Sequence, residues 1–398
     1  MTQNIYPTVR LRPNAAAQAM RQGFPWIYNN ELVFDRRSKK LPAGSVVIVE
    51  DSERRPIGLG GINPLSKIAV RMLDRDIEAE IDQTWFLKRL SAALHLREVL
   101  FEQPFYRLVH AEADGMPGVI IDRFGSLVVV QPNAAWAEMR LADLSQALLE
   151  VEGITCVLKN AGGRSRALEG LDFQNNILIG ERPETTVDVP MNGAVYKADL
   201  ISGQKTGLYF DQRPNHAFAA SLAKGRTVLD VFSHVGGFSL AALVAGAQSA
   251  LAVDGSEAAL DLAMQGAVAS GVVEKFETQK GDAFAQLSAL AEAGEKFGLV
   301  ICDPPAFASS KPALEAGLRA YEKVARLAAH LVEEGGFLIL CSCSHAADLV
   351  KFRTACNRGI GRAGRSAQLF HTGFAGADHP LHPQLAESGY LKALFYRL

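Results

Sequence analysis

Residues 227–257, Thr-Val-Leu-Asp-Val-Phe-Ser-His-Val-Gly-Gly-Phe-Ser-Leu-Ala-Ala-Leu-Val-Ala-Gly-Ala-Gln-Ser-Ala-Leu-Ala-Val-Asp-Gly-Ser-Glu, decide the fold. Val228 and Leu229 begin a buried strand, and Gly236 and Gly237 mark a close backbone turn. Phe238 to Ala245 carry apolar residues at helical spacing until Gly246 offers a C-cap. A second strand, Ser249 to Val253, then delivers Asp254. In an open parallel sheet, ligands sit at the carboxyl ends of strands where the strand order switches. An ordinary β-α-β packing unit would show the same apolar pattern, so the acids Asp230 and Asp254 carry the functional reading. The G-x-G-x-x-G of a nicotinamide loop is absent, and a pyrophosphate would be repelled by Asp230. S-adenosylmethionine (SAM) suits that acid better, because its amino acid end presents an ammonium; Asp254 is placed to accept hydrogen bonds from two ribose hydroxyls.

Downstream, the alternation continues. Ser256 caps a helix to about Val268, Phe276 to Gln279 form a third strand, and Ala283 to Ala293 a helix, with Asp282 where an adenine amino group would need an acceptor. Residues 297–302 make a fourth strand ending in Asp303-Pro304-Pro305-Ala306-Phe307, where two prolines fix the backbone after a carboxylate. Leu314 to Leu331 are a long helix, and a fifth strand, Gly336 to Leu340, runs into Cys341-Ser342-Cys343-Ser344-His345. Strands near 367–372 and 390–397 close the sheet. The fold class is therefore α/β with a Rossmann-like domain over 194–398. The polar stretch 202–215 precedes it without matching a Walker A loop. From it, Thr206, Tyr209 and Arg213 are expected around the amino acid end of SAM, beside Asp230, Phe232, Gly236, Gly237, Asp254 and Asp282.

Upstream, short strands at 8–11, 32–34, 45–50, 56–63 and 68–73 spell a small β-barrel over 1–76, with a helix within 14–22. The cluster Phe24-Pro25-Trp26-Ile27-Tyr28 reads as core or as a stacking platform. A middle α+β domain, 77–193, is expected in the order strand-strand-helix-strand-strand, after a helix at 82–101 and with one helix over 134–150. Strands near 155–158 and 194–198 complete that layout. Glu112 and Asp114 beside a Gly-Met-Pro-Gly turn read as hydrogen-bond acceptors rather than a paired-carboxylate site. The chain's 398 residues carry a formal net charge of −2, which argues against a general nucleic-acid binder. Residues 1–76, however, hold 12 Lys or Arg against 7 Asp or Glu, a net of +5, and the remainder 29 against 36, a net of −7. The runs 36–40 and 54–55 lie in turns suited to phosphate contacts. Five cysteines without metal-ligand spacing, and no membrane-length apolar run, point to free thiols, no metal and a cytoplasmic enzyme.

With Asp303-Pro304-Pro305-Ala306-Phe307, Ser342-Cys343-Ser344, Gln204-Lys205-Thr206-Gly207, residues 107–115 and Asp378-His379-Pro380 in view, the chain resembles the RlmI-like large-subunit ribosomal RNA cytosine-5 methyltransferases. The resemblance implies a PUA barrel, a middle domain and a SAM-binding domain in that order, and 23S ribosomal RNA as partner, with a homodimer left open. His234-Val235 and Gln265-Gly266 depart from the usual pattern without removing an expected ligand. Carbon 5 of cytosine is a poor nucleophile, so methyl transfer there needs prior addition of a thiolate to carbon 6. The motif makes Cys343 that thiol rather than Cys341, Cys302, Cys156 or Cys356, with His345 as a candidate helper. Asp303 would bond the ring nitrogen and amino edge of the base. Two rival readings are methylation of another RNA atom, such as guanine N7 or an exocyclic amine, and a non-catalytic RNA-binding factor.

Overall fold

The stretch 227–257 folds as its pattern predicts: β1 (Thr227–Val231), α1 (Gly237–Val244) and β2 (Ser249–Asp254). Four of the five β1 residues are buried, because a parallel strand is covered on both faces. The unit repeats as α2 (Glu257–Ala269), β3 (Phe276–Lys280), α3 (Ala283–Glu292), β4 (Phe297–Cys302), α4 (Leu314–Leu331), β5 (Val332–Ser342) and α5 (Leu349–Arg362). The final strands are β6 (Gln368–Gly373) and β7 (Lys392–Arg397). The sheet order is β3-β2-β1-β4-β5-β7-β6, parallel from β3 to β5, with β7 antiparallel to both its neighbours. Strand order reverses between β1 and β4, the place where ligands bind in open α/β sheets. Leu229, Val231, Val300, Leu338 and Leu394 have no exposed surface, and each stabilises the fold by about 1.5–3 kcal/mol relative to an exposed side chain.

The computed structural model describes residues 6–182, 186–201 and 207–398, and the chain divides into two units. The unit just described comprises 186–199, 208–376 and 389–398. It also holds a hairpin, Val187–Met191 paired with Ala194–Ala198, and the helix Arg213–Leu222. Ala194–Ala198 is thus no part of the middle-domain sheet expected from the sequence. The helix begins at Arg213 rather than 217, with Pro214 in its first turn, where a missing N–H costs nothing.

The other unit comprises residues up to 185, 200–207 and 377–388. Its six-stranded sheet uses Thr8–Leu11, Trp26–Tyr28, Leu32–Val33, Val46–Glu50, Pro56–Ile62 and Ile68–Asp74. The aromatic cluster supplies one of those strands, with Ile27 fully buried and the Trp26 indole donating to Glu112 at 2.8 Å. A five-stranded sheet follows, from Phe105–His110, Val119–Phe124, Leu127–Pro132, Cys156–Lys159 and Asn176–Ile179. Its fifth strand is 176–179, and the helix expected over 134–150 is two, Ala135–Met139 and Leu141–Leu149, divided at Arg140. Barrel and middle sheet share one core: Val46, Leu59 and Leu73 pack with Trp85, Phe86 and Trp136. Gly61 lies so close to Trp136 that a Cβ there would sit 2.5 Å from it. Glu112 and Asp114 are acceptors, Glu112 for Arg71 and Asp114 for both arms of Arg97.

Candidate active site

The turn after β1 is strained. Phe232 and His234 adopt positive φ of 63° and 51°, which side chains of this size rarely take, and Gly236 follows at 78°. Asp254, at the end of β2, holds the turn by accepting from the His234 N–H at 2.9 Å and the Ser256 N–H at 2.8 Å. Each of its oxygens keeps a further lone pair. Asp230 is completely buried behind the turn. Its Oδ2 accepts from the Ser239 N–H at 3.0 Å and hydroxyl at 2.7 Å, while Oδ1 has no partner among the described residues. Burial raises this carboxyl to about 6. The Ser233 hydroxyl is likewise buried without a partner among the described residues. A Cβ on Gly237 would stand 2.6 Å from the His216 ring. His216 packs edge-on against Phe238 at 4.4 Å, and burial depresses it to about 3, so it is neutral.

Other residues expected at the cofactor are distributed unevenly. Tyr209 stacks at a tilt 5.1 Å from His234. Burial, then the charges of Asp211, Asp303, Cys343 and Asp254, push its hydroxyl up to about 12, which puts all four within electrostatic reach of one ring. Arg213 opens its helix with its guanidinium 5.3 Å from the Phe210 ring. Asp282 is exposed and caps α3, accepting from the Ala285 N–H at 3.0 Å, so its place in the sequence has a local structural reason. Thr206 lies outside the described residues, as do Gln204 and Lys205.

Asp303 leaves β4 where it parts from β1, its N–H donating to the Val231 carbonyl at 3.2 Å. Its Oδ2 accepts from Gln212 Nε2 at 2.9 Å, and Gln212 Oε1 accepts from Asn215 Nδ2 at 2.6 Å. Asn215 also donates to the Phe374 carbonyl at 3.1 Å, so a buried relay fixes the Asp303 carboxylate. The loop beyond Asp303 is held at Ala308, whose N–H donates to Ser344 Oγ at 3.0 Å. Gly317 on α4 lets that loop approach, since a Cβ there would meet the Ala308 nitrogen at 2.7 Å.

The fifth strand is longer than its sequence suggested. β5 runs to Ser342, and Cys341 pairs with Ala393 inside the sheet, so Cys341 is a strand residue. Cys343 is the first residue beyond. Its neighbours are tied down: Ser342 donates to the Tyr321 hydroxyl at 2.9 Å, and the Tyr321 and Ser344 hydroxyls lie 2.8 Å apart. Of the five free cysteines, Cys343 alone is not buried. Burial pushes the thiols of Cys156, Cys302, Cys341 and Cys356 upward, which leaves them poor nucleophiles. His345 is exposed, 5.5 Å from the Tyr390 ring.

Sequence reading missed Gln212, Asn215, Tyr321 and Lys392. Tyr321 hides among the core positions of an amphipathic helix, and Gln212 was visible only as part of a polar cluster. Lys392 had a signal, because it interrupts the otherwise apolar run 391–396.

The turn suits SAM on its own terms. Two buried oxygens, Asp230 Oδ1 and Ser233 Oγ, lack partners among the described residues beside a Gly-Gly backbone, and the acid can meet an ammonium. Among the described residues, no three His, Cys, Asp or Glu side chains are grouped as metal ligands, and no helix is long and apolar enough to cross a membrane. The PUA-like domain pattern matches residues 9–75, and the pattern of S-adenosylmethionine-dependent methyltransferases matches 161–397. A Photobacterium profundum protein named ribosomal RNA large subunit methyltransferase I is 35% identical, over 94% of this chain and 95% of its own. A Klebsiella pneumoniae protein of the same name is 31% identical over the full length of both. Among solved structures, a chain assigned as a SAM-dependent methyltransferase from Streptococcus mutans superposes with a TM-score of 0.82 at 18% identity, covering 98% of this chain and 100% of its own. A methyltransferase complexed with SAH gives 0.83 at 20%, covering 99% and 100%; at such identities the likeness establishes the fold. Because the methyltransferase pattern spans more than half of the sequence and relatives above 30% identity align along nearly all of it, the chain belongs to the S-adenosylmethionine-dependent methyltransferase family, among the ribosomal RNA large subunit methyltransferase I proteins.

Proposed function

We propose that this protein methylates carbon 5 of a cytosine in 23S ribosomal RNA, in the cytoplasm, through a covalent adduct with Cys343. The observation that carries the reading is that Cys343, alone of the five cysteines, is not buried and follows the end of β5, while the carboxylate that follows the neighbouring strand β4 is fixed by its own relay. The names of the relatives support ribosomal RNA as the substrate. Cys343, as thiolate, adds to carbon 6 of the base, and the new electron density at carbon 5 takes up the methyl group. SAM supplies that methyl as an electrophile. Loss of the carbon 5 proton then expels the thiolate and restores the ring. Asp303 holds the ring nitrogen and amino edge, and the Gln212–Asn215 relay keeps it from rotating away. Phe232, Gly236, Gly237, Asp254 and the open oxygen of Asp230 hold the cofactor, with Thr206, Tyr209 and Arg213 toward its amino acid end and Asp282 toward the adenine. Residues 1–76 act as the RNA-binding module, 77–193 as the middle domain and 194–398 as the methyltransferase domain. The base must leave its stack, at about a few kcal/mol unless it is already unpaired.

The test uses RNA carrying 5-fluorocytidine, whose fluorine cannot leave as a proton. A covalent complex should accumulate with SAM in wild-type and Cys341→Ala proteins and map by peptide mass to Cys343, and it should be absent in Cys343→Ala. An adduct persisting in Cys343→Ala would overturn the assignment. A fully active Cys343→Ser protein would transfer the reading to an RNA atom that needs no thiol.

A further inference from the structure

β7 lies antiparallel beside β5 with Lys392 directly opposite Ser342. Directly opposed residues of an antiparallel pair project to the same face, so the lysine rises beside the strand end from which Cys343 departs. Its side chain is buried, only 5% of the residue being exposed. Nζ donates to the carbonyl of Ser344 and to that of Ala347, both at 2.8 Å. The first of these belongs to the residue that follows Cys343.

A buried ammonium normally has a counter-ion, because the charge is poorly solvated inside a protein. Among the described residues no carboxylate lies within 4.0 Å of this one. Two carbonyl dipoles compensate the charge in part, and an ammonium has three donors. Burial lowers the pKa of Lys392, and the charges of Cys343 and Asp348 oppose that fall. Asp348 is engaged elsewhere, capping α5 and paired with Lys351. Tyr209 and Tyr321 also feel the charge of Cys343. Their hydroxyls are raised by burial and stay neutral, the Asp303 carboxylate accepts from Gln212, and His345 is exposed.

Resting on the reading of Cys343 as nucleophile, we propose that Lys392 is a positioning residue whose buried ammonium is the built-in counter-ion of the Cys343 thiolate. The same group fixes the 344–347 loop and supplies the positive charge that the thiolate needs at neutral pH. A lysine in this place therefore has its missing partner made for it when Cys343 loses its proton, and again when the adduct breaks and the thiolate leaves.

The experiment measures iodoacetamide alkylation of each cysteine against pH, resolved by peptide mass, in the full-length protein without RNA or SAM. In wild type the Cys343 midpoint should lie below the ordinary thiol value of about 8.5. Lys392→Met should raise it by about 1 pH unit or more, so alkylation at pH 7 slows by roughly tenfold, and Lys392→Arg should restore most of the loss. In methyl transfer, Lys392→Met should lower kcat with little change in KM for RNA, a split that general loosening would not give. A wild-type midpoint at or above about 8.5, or an unchanged midpoint in folded Lys392→Met, overturns the proposal. The wild-type measurement decides alone if the methionine variant does not fold. Alkylation reads the thiol independently of the reaction, so a Lys392-dependent midpoint without any 5-fluorocytidine adduct would leave the ion pair standing and remove the cytosine assignment.

Discussion

Asp230 is a carboxyl group with no exposed surface and, among the described residues, only one of its oxygens bonded. Its pKa, raised by burial to about 6 in the fold, exceeds the ordinary 3.8 of the unfolded chain. The stability it contributes is therefore fully present below 3.8 and lost as pH rises through about 6, because the folded state must then carry a buried charge. Asp230→Asn keeps the acceptor for Ser239 and removes that charge. Without cofactor it should be more stable than wild type at pH 7.5, on the order of 1–3 kcal/mol, with the gain shrinking toward pH 4. It should also bind SAM more weakly, since the open oxygen no longer offers an anion to the ammonium. Denaturant unfolding at the two pH values, with calorimetry for SAM, checks both; an unchanged affinity would remove Asp230 from the cofactor site. At this scale the sequence showed which side chains are acidic and at which strand end, but not which lone pairs are already used. Asp282 is the plainest instance, because its capping bond to Ala285 takes one oxygen of a carboxylate expected for adenine.

Among the elements, the β1–α1 turn was readable because glycine pairs, apolar spacing and flanking acids are local signals. Its tightness was not, because His216 reaches it from another helix. Gly237→Ala would drive a methyl group into that buried ring, whose displacement should cost roughly 1–3 kcal/mol and weaken SAM binding together with it. Thermal unfolding and SAM calorimetry should fall in step, and a variant with wild-type values in both would mean that the turn has slack. The length of β5 was hidden for a different reason. The sequence reading begins this strand at Gly336, after two acids and Gly335, which has φ of 75°. Pairing with β7, some fifty residues later, nevertheless carries the strand to Ser342. The middle-domain helix broken at Arg140 is the converse, a continuous amphipathic pattern that tertiary packing divides.

Across the whole molecule, residues 107–115 and 378–380 stood out in the sequence only as family signatures. In the unit they share, they form one cluster around the buried Asp378 and His379. Asp378 accepts from the Arg107 N–H at 3.0 Å, its backbone carbonyl accepts from Arg97 at 2.9 Å, and the His110 and His379 rings lie 4.9 Å apart. A link across 271 residues leaves no periodic trace. The basic excess of residues 1–76 is also resolved by the fold. Arg55 and Arg21 both serve Asp51, whereas Arg36, Arg37, Lys39 and Lys40 are exposed, and among the described residues none of the four forms an ion pair. Deleting the barrel would tear the core it shares with the middle sheet, so charge removal is the cleaner test. Replacing these four by alanine should leave stability within about 0.5 kcal/mol and flatten the slope of log affinity for RNA against log salt by about 3. An unchanged slope would place the RNA elsewhere.

The position of β7 between β5 and β6 has a consequence for protein synthesis. It is the last strand of its sheet to leave the ribosome, yet it enters between two strands already made, and it brings Lys392 to the loop beyond Cys343. A nascent chain can hold every residue proposed for cofactor and base and still lack the support of its thiol. A stop codon or frameshift shortly before codon 392 is then expected to be as damaging as one in the middle of the gene, since it leaves β6 with no neighbour in the sheet and the Ser344 carbonyl with no ammonium.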